Sequence, residues 1–175
     1  MQSFGDRVDG VILSGTNGAN PLVGIGLLIA RMVVAVKGGD TKAVLLHQLS
    51  LGPYNKGLHD TDTGLDWLSR DTKVVRDYFD DPECGADFPN SFYYEMLRLL
   101  KTIWTPAHEK RIPKNLPIYI FAGEADPVGA HGKGVRALHG RYVKYGIQDV
   151  TMRLFAGGRH EMLNEINRDE VIAEL

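Results

Sequence analysis

The sequence predicts an α/β fold: about three parallel strands with flanking helices, plus a long helical insertion. Three observations carry this. Two apolar, β-rich runs near the end, at 116–123 and 149–155, each break into a turn containing glycine, with a helix-length segment between them. An earlier run, at 8–14, has the same character. The stretch between, 17–110, holds helical patterns and no convincing strand, which fits an insertion better than a continued strand–helix alternation. With 175 residues, 43% apolar and 24% charged, the chain is long enough to bury one core.

Taken in order, Val8 to Ser14 reads as a buried parallel strand, short, apolar and bounded by turn residues. Thr16-Asn17-Gly18-Ala19-Asn20-Pro21 is a loop by composition. Residues 22–37 form a helix that is apolar almost all round, stopped by Gly38-Gly39. Asp40-Thr41 is placed to cap a second helix reaching about Leu51, where Gly52-Pro53 ends it. The chain at 54–64 is polar and loop-like, and 65–70 makes a short turn with Trp67 beside Leu68. A helix follows over 72–80, then irregular chain at Asp81-Pro82-Glu83-Cys84-Gly85. Asn90 caps a helix over 91–103 that carries Phe92, Tyr93, Met96, Leu97, Leu99 and Leu100. Strand 116–123, helix 133–145 and strand 149–155 complete the alternation. A last helix opens at Asn167-Arg168-Asp169-Glu170 with the spacing of a capping box, and is expected to continue past Leu175.

The two late strands feed chemically distinct turns. Glu124-Ala125-Asp126-Pro127-Val128-Gly129 follows the first, and Ala156-Gly157-Gly158-Arg159-His160-Glu161 the second. Pro127 stiffens the chain after Asp126, while Gly157-Gly158 allows a bend before His160 where a Cβ would clash. Taken alone, an Asp before Pro is a common turn residue and a His after two glycines a common loop residue. Glu124 reads as a solvated turn residue and Arg159 as a loop anchor.

Five motifs in order extend this pattern over most of the chain: Val8-Asp9-Gly10-Val11-Ile12-Leu13-Ser14-Gly15-Thr16, Asp66-Trp67-Leu68-Ser69-Arg70-Asp71, Ala125-Asp126-Pro127-Val128-Gly129, Gly157-Gly158-Arg159-His160-Glu161 and Asn164-Glu165. With them the chain, from Arg7 to Leu175, resembles the lid-bearing serine hydrolases of the lysophospholipase, monoacylglycerol lipase and S33 aminopeptidase-like group, within the α/β-hydrolase superfamily. The resemblance implies the lid and C-terminal half of that fold, with residues 1–16 and 111–175 as core and 17–110 as lid. It implies His160 as general base and Asp126 as the carboxylate that orients it.

The same resemblance places a Gly-x-Ser-x-Gly elbow and an oxyanion loop upstream of the strand at 8–14. None of the serines, Ser3, Ser14, Ser50, Ser69 or Ser91, has glycines two residues away on both sides. Ser14 comes closest, with Gly15 beside it. The chain is therefore expected to lack the nucleophile and to be inactive alone, the intact parent hydrolysing carboxylic esters of lipid-like substrates through an acyl-serine. Amide hydrolysis on the same triad, and a non-catalytic interaction module, are the alternatives. Leu27, Leu28, Met32 and Val36 of the lid helix are expected to line an acyl tunnel as well as to pack. Without its neighbour, the strand at 8–14 is expected to pair with the missing N-terminal half or to self-associate.

Composition closes off other classes. A net charge of −2 with both signs interspersed provides no field for nucleic acid. A single cysteine, Cys84, cannot bridge internally, and His47, His59, His108, His131 and His139 show no metal-ligand spacing, so no metal or cofactor is expected. Gly24-Ile25-Gly26 lacks the third glycine and leading strand of a dinucleotide fingerprint, and Gly132-Lys133-Gly134 lacks the P-loop frame. The apolar run at 21–36 contains Arg31 and is too short for a bilayer span, and Met1 to Asp6 has no signal pattern, so a cytoplasmic setting is expected.

Overall fold

A computed structural model describes residues 1–58 and 63–175. Strands β1 (Val11–Ser14), β2 (Ile118–Gly123) and β3 (Val150–Phe155) lie side by side in that order, all parallel. Between β1 and β2 run α1 (Val23–Lys37), α2 (Val44–Ser50), α3 (Thr72–Asp80), α4 (Asn90–Ile103) and the short α5 (Pro106–Glu109). Helix α6 (Lys133–Lys144) joins β2 to β3, and α7 (Arg168–Ala173) follows β3. Val11 pairs with Ile118 and Ile118 with Val150, so the strands start level and their carboxyl ends open on one edge.

The alternation of side chains along a strand makes β2 the centre of two cores. Ile118, Ile120 and Ala122 join Val135, Leu138 and Tyr142 of α6 on one face. Phe121 turns to the other and meets Phe155, Met162 and Val171. β1 departs from expectation: it begins at Val11 and is not buried, since only Val11 and Leu13 reach the core while Ile12 is 56% exposed on the uncovered face.

In the helical segment α1 lies against α4, with Ala30 and Val33 packed on Tyr93, Met96 and Leu97. The polar residues expected to start helices are used differently. Thr41 Oγ1 donates to the Lys37 carbonyl at 2.6 Å and so finishes α1, while α2 starts only at Val44, after Lys42 bridges Pro89. Asn90 is the first residue of α4 and not its cap; it is buried, and its amide donates to the Gly38 carbonyl at 3.0 Å. Asn167 does stand at the N-cap of α7, as expected, but its side chain caps no amide, because its Oδ1 accepts from Arg70 Nη2 at 2.8 Å. Asp71 does cap α3, accepting the Lys73 and Val74 amides.

Helix α5 was not expected from the sequence. Its Glu109 is fully buried and meets the Arg141 guanidinium of α6 at 2.8 to 3.1 Å, tying the end of the helical segment to the core. Among the described residues no helix is long and apolar enough to cross a membrane.

Candidate active site

The site forms where the exits of β2 and β3 cross. The Ala125 amide donates to the Gly158 carbonyl at 2.8 Å, and Glu124 N donates to the Phe155 carbonyl at 2.9 Å. The loops touch so closely that a Cβ on Gly123 would lie 2.0 Å from the Gly158 oxygen. Only glycine permits that approach. At Gly157, φ of +67° supplies the bend that turns the chain towards His160.

The crossing brings Asp126 and His160 together. Asp126 is fully buried; its Oδ1 accepts the Val128 amide at 2.8 Å, which fixes the carboxylate within its own turn. Its Oδ2 lies 3.1 Å from His160 Nδ1. The carboxylate accepts from Nδ1–H, so Nε2 is the bare, basic nitrogen of the neutral ring. Among the described residues no serine hydroxyl hydrogen-bonds that ring. One side of the imidazole abuts Gly15, where a Cβ would sit 3.0 Å from His160 Cε1. Trp67 also packs against the imidazole, with ring centroids 5.2 Å apart.

Trp67 leads outward to Tyr54, whose ring meets it edge-on at 5.0 Å. Burial, and then the negative charge of Asp126, push the Tyr54 phenol above its ordinary range. Tyr54 in turn lines a cavity of about 420 Å³ between α1, α2 and α4, with Ile25, Gly26, Ile29, Leu46, Met96 and Leu97 among its walls. Leu27, Leu28, Met32 and Val36 are not among its lining residues. Leu28, Met32 and Val36 recur every four residues on one face of α1, and that face is 58%, 53% and 83% exposed. A helix apolar all round gives no periodicity from which to choose the inward side.

A second set of contacts, between residues 66–70 and the His160 loop, was not assigned a role from the sequence. His160 N donates to the Trp67 carbonyl at 3.3 Å and Glu161 N to the Leu68 carbonyl at 2.8 Å. Ser69 Oγ donates to the Asn164 carbonyl at 2.9 Å, and Arg159 Nη1 to the Asp66 and Ser69 carbonyls. Arg159 is thus the loop anchor expected of it, and Glu124 is exposed and paired with Arg136. Both segments fall within the five motifs, the one signal of this contact that the sequence carries.

The remaining histidines lie elsewhere: His47 edge-on to Tyr93, His139 with Nε2 3.2 Å from the Val150 carbonyl, His108 in α5 and His131 in the turn before α6. His59 lies outside the described residues. Among the described residues no group of three or more His, Cys, Asp or Glu side chains is placed to hold a metal.

Residues 2–167 match the hydrolase family described as serine aminopeptidase, S33. Among solved structures, a thermostable carboxyl esterase from Bacillus coagulans in complex with glycerol is 26% identical, with a TM-score of 0.88 over 99% of this chain and 56% of its own. A lipase in its open form is also 26% identical, TM-score 0.81, over 96% of this chain and 55% of its own. A monoacylglycerol lipase from Paleococcus ferrophilus shares the fold at 18% identity, TM-score 0.60, over 99% and 58%. The chain thus spans a little over half the length of these structures. Comparison with curated proteins gave no match.

Proposed function

Because the chain belongs to the serine aminopeptidase S33 family of hydrolases, we propose that Asp126 and His160 are the acid–base half of an acyl-transfer site for lipid-like carboxylic esters. The supporting observation is the buried Asp126 carboxylate 3.1 Å from Nδ1 of a part-exposed imidazole. In this reading Nε2 takes the proton of a serine hydroxyl as its oxygen attacks the ester carbonyl. The same nitrogen, now protonated, hands the proton to the departing alcohol, leaving an acyl-serine. Water then enters by the same route and releases the acid. Asp126 stays ionised throughout and stabilises the imidazolium.

The serine comes from polypeptide outside these residues. We place that stretch along the free edge of β1, where Ile12 is uncovered and strand pairing is open. The acyl chain enters the cavity beside α1 and reaches the base past Tyr54 and Trp67. Ester chemistry is favoured by the carboxyl esterase and the lipase, the matches at 26% identity. Amide hydrolysis is the second reading, favoured by the family's own description.

The test is turnover of p-nitrophenyl esters of graded chain length against aminoacyl p-nitroanilides, by the protein joined with its serine-bearing stretch. His160→Ala is expected to lower ester turnover by about 10⁴-fold. Turnover of anilides alone would move the substrate class to amides, and full activity in His160→Ala would remove the pair from catalysis.

A further inference from the structure

The loop that carries His160 and the strap at residues 66–71 close around one carboxylate, Glu165, that no step above uses. Its side chain is fully buried. Oε1 accepts the Arg159 amide at 2.8 Å and the Arg70 amide at 3.2 Å. Oε2 accepts Arg70 Nε at 2.9 Å and the Ile166 amide at 3.0 Å. A carboxylate has about four lone-pair sites, and here all are engaged.

Such a group is expensive to disturb, because each lost acceptor strands a buried donor. It is also rigid. Three of its four donors are backbone amides, and the fourth is a guanidinium held by Asn167 Oδ1 at 2.8 Å. One of those amides belongs to Arg159, directly before His160. Beyond it, the His160 and Glu161 amides bond to the strap at Trp67 and Leu68. Trp67, whose ring flanks the imidazole at 5.2 Å, is itself part of the strap. The carboxylate therefore sets both the backbone that presents the ring and the aromatic wall beside it.

Asp126 has an anchor of its own besides, since its turn fixes the carboxylate through the Val128 amide. The hydrogen bonds that join the strap to the site all go to residues 159–168, on the His160 side. We infer that Glu165 is a positioning residue for His160, holding the imidazole in register with Asp126 by clamping the His160 loop to the strap at residues 66–71. The catalytic meaning of this rests on the acyl-transfer reading; the geometric content does not.

Glu165→Gln tests it with almost no change of shape, because the amide nitrogen turns donors towards donors. Arg70→Lys is the second variant: it keeps the positive charge and both backbone amides on Oε1 but loses the guanidinium fork. The probe is the chain labelled with ¹⁵N-histidine. Expected are an unchanged far-UV circular dichroism spectrum and cooperative unfolding in at least one variant, together with loss of the low-field His160 Nδ1–H resonance and a mixture of ring tautomers. In the serine-bearing protein kcat falls by about 10²-fold, the size of effect that follows a misplacement of about 1 Å, while KM stays within about two-fold.

A folded Glu165→Gln protein that keeps the parent's Nδ1–H resonance would overturn the inference. So would failure of both variants to fold, which would make Glu165 a stability residue only. Should His160→Ala and Asp126→Asn keep full turnover, the hydrolase reading falls while the resonance comparison still decides the role of Glu165.

Discussion

The sheet region and the helical segment bury their apolar residues to very different degrees. Ile120, Ala122, Val135, Leu138 and Tyr142 are fully buried around β2 and α6, whereas Leu28, Met32, Val36 and Leu99 of α1 and α4 are all more than half exposed. One region is sealed by close packing on both faces of a strand; the other is a helix pair with an open apolar side and a cavity. The crossing of the β2 and β3 exits, where Asp126 and His160 meet, thus stands on the sealed region, while the cavity lies in the loose one.

The sharpest way to break this contrast is at the junction. Arg141→Ala leaves Glu109 buried without its partner and is expected to lower stability by about 3–5 kcal/mol, read as the urea midpoint. A change below about 1 kcal/mol would mean that α5 does not hold the helical segment to the core. Matched truncations come next. Leu138→Ala in the sealed region is expected to cost about 2–5 kcal/mol. Leu28→Ala on the exposed face of α1 is expected to shift stability by less than about 0.5 kcal/mol. Equal losses at the two positions would show that the open face is covered in solution.

The cavity offers a more selective probe. A Cβ at Gly26 would make ordinary contact with Leu97 at 3.6 Å, so Gly26→Leu projects the rest of its side chain into the cavity. The expected result is a preference for short over long acyl esters increased by about 10- to 100-fold in kcat/KM, with short-chain turnover kept. Uniform loss across chain lengths would place the acyl group elsewhere.

Alkali gives the smallest and most diffuse effect. Burial raises the phenol of Tyr142 well above the tyrosine range, with the charge of Glu109 adding to it, and raises Tyr54 and Tyr93 above theirs. The unfolded chain gives up these protons near the ordinary value of 10.0 while the folded chain still holds them. Stability therefore falls as pH rises above about 10, where the unfolded state binds fewer protons than the folded state. Urea midpoints at pH 9 and pH 11 measure this, and no decline would contradict the burial of these phenols.

What could be read along the chain was local. The strand-to-turn breaks after 116–123 and 149–155 pointed to Asp126 and His160, and the structure brings the two within hydrogen-bond distance. Asn90 and Thr41 misled because each carries a helix-start residue type whose polar atom is taken by a carbonyl, that of Gly38 52 residues from Asn90 and that of Lys37 before Thr41, whereas Asn167 does mark the start of α7. Which face of α1 lines the cavity was illegible for a related reason: a uniformly apolar helix carries no directional pattern. β1 was expected to be buried from its composition, but exposure of Ile12 depends on what packs against it, which composition does not report.

The strap ties together distant parts of the chain. Ser69 and Arg70 meet Asn164 and Glu165 across 95 residues, so the clamp can form only when both stretches are present. Closing so wide a loop costs little extra, about 0.6 kcal/mol per doubling of length. The aim of the imidazole thus rests on a contact that no fragment lacking either residues 66–71 or residues 159–165 can make.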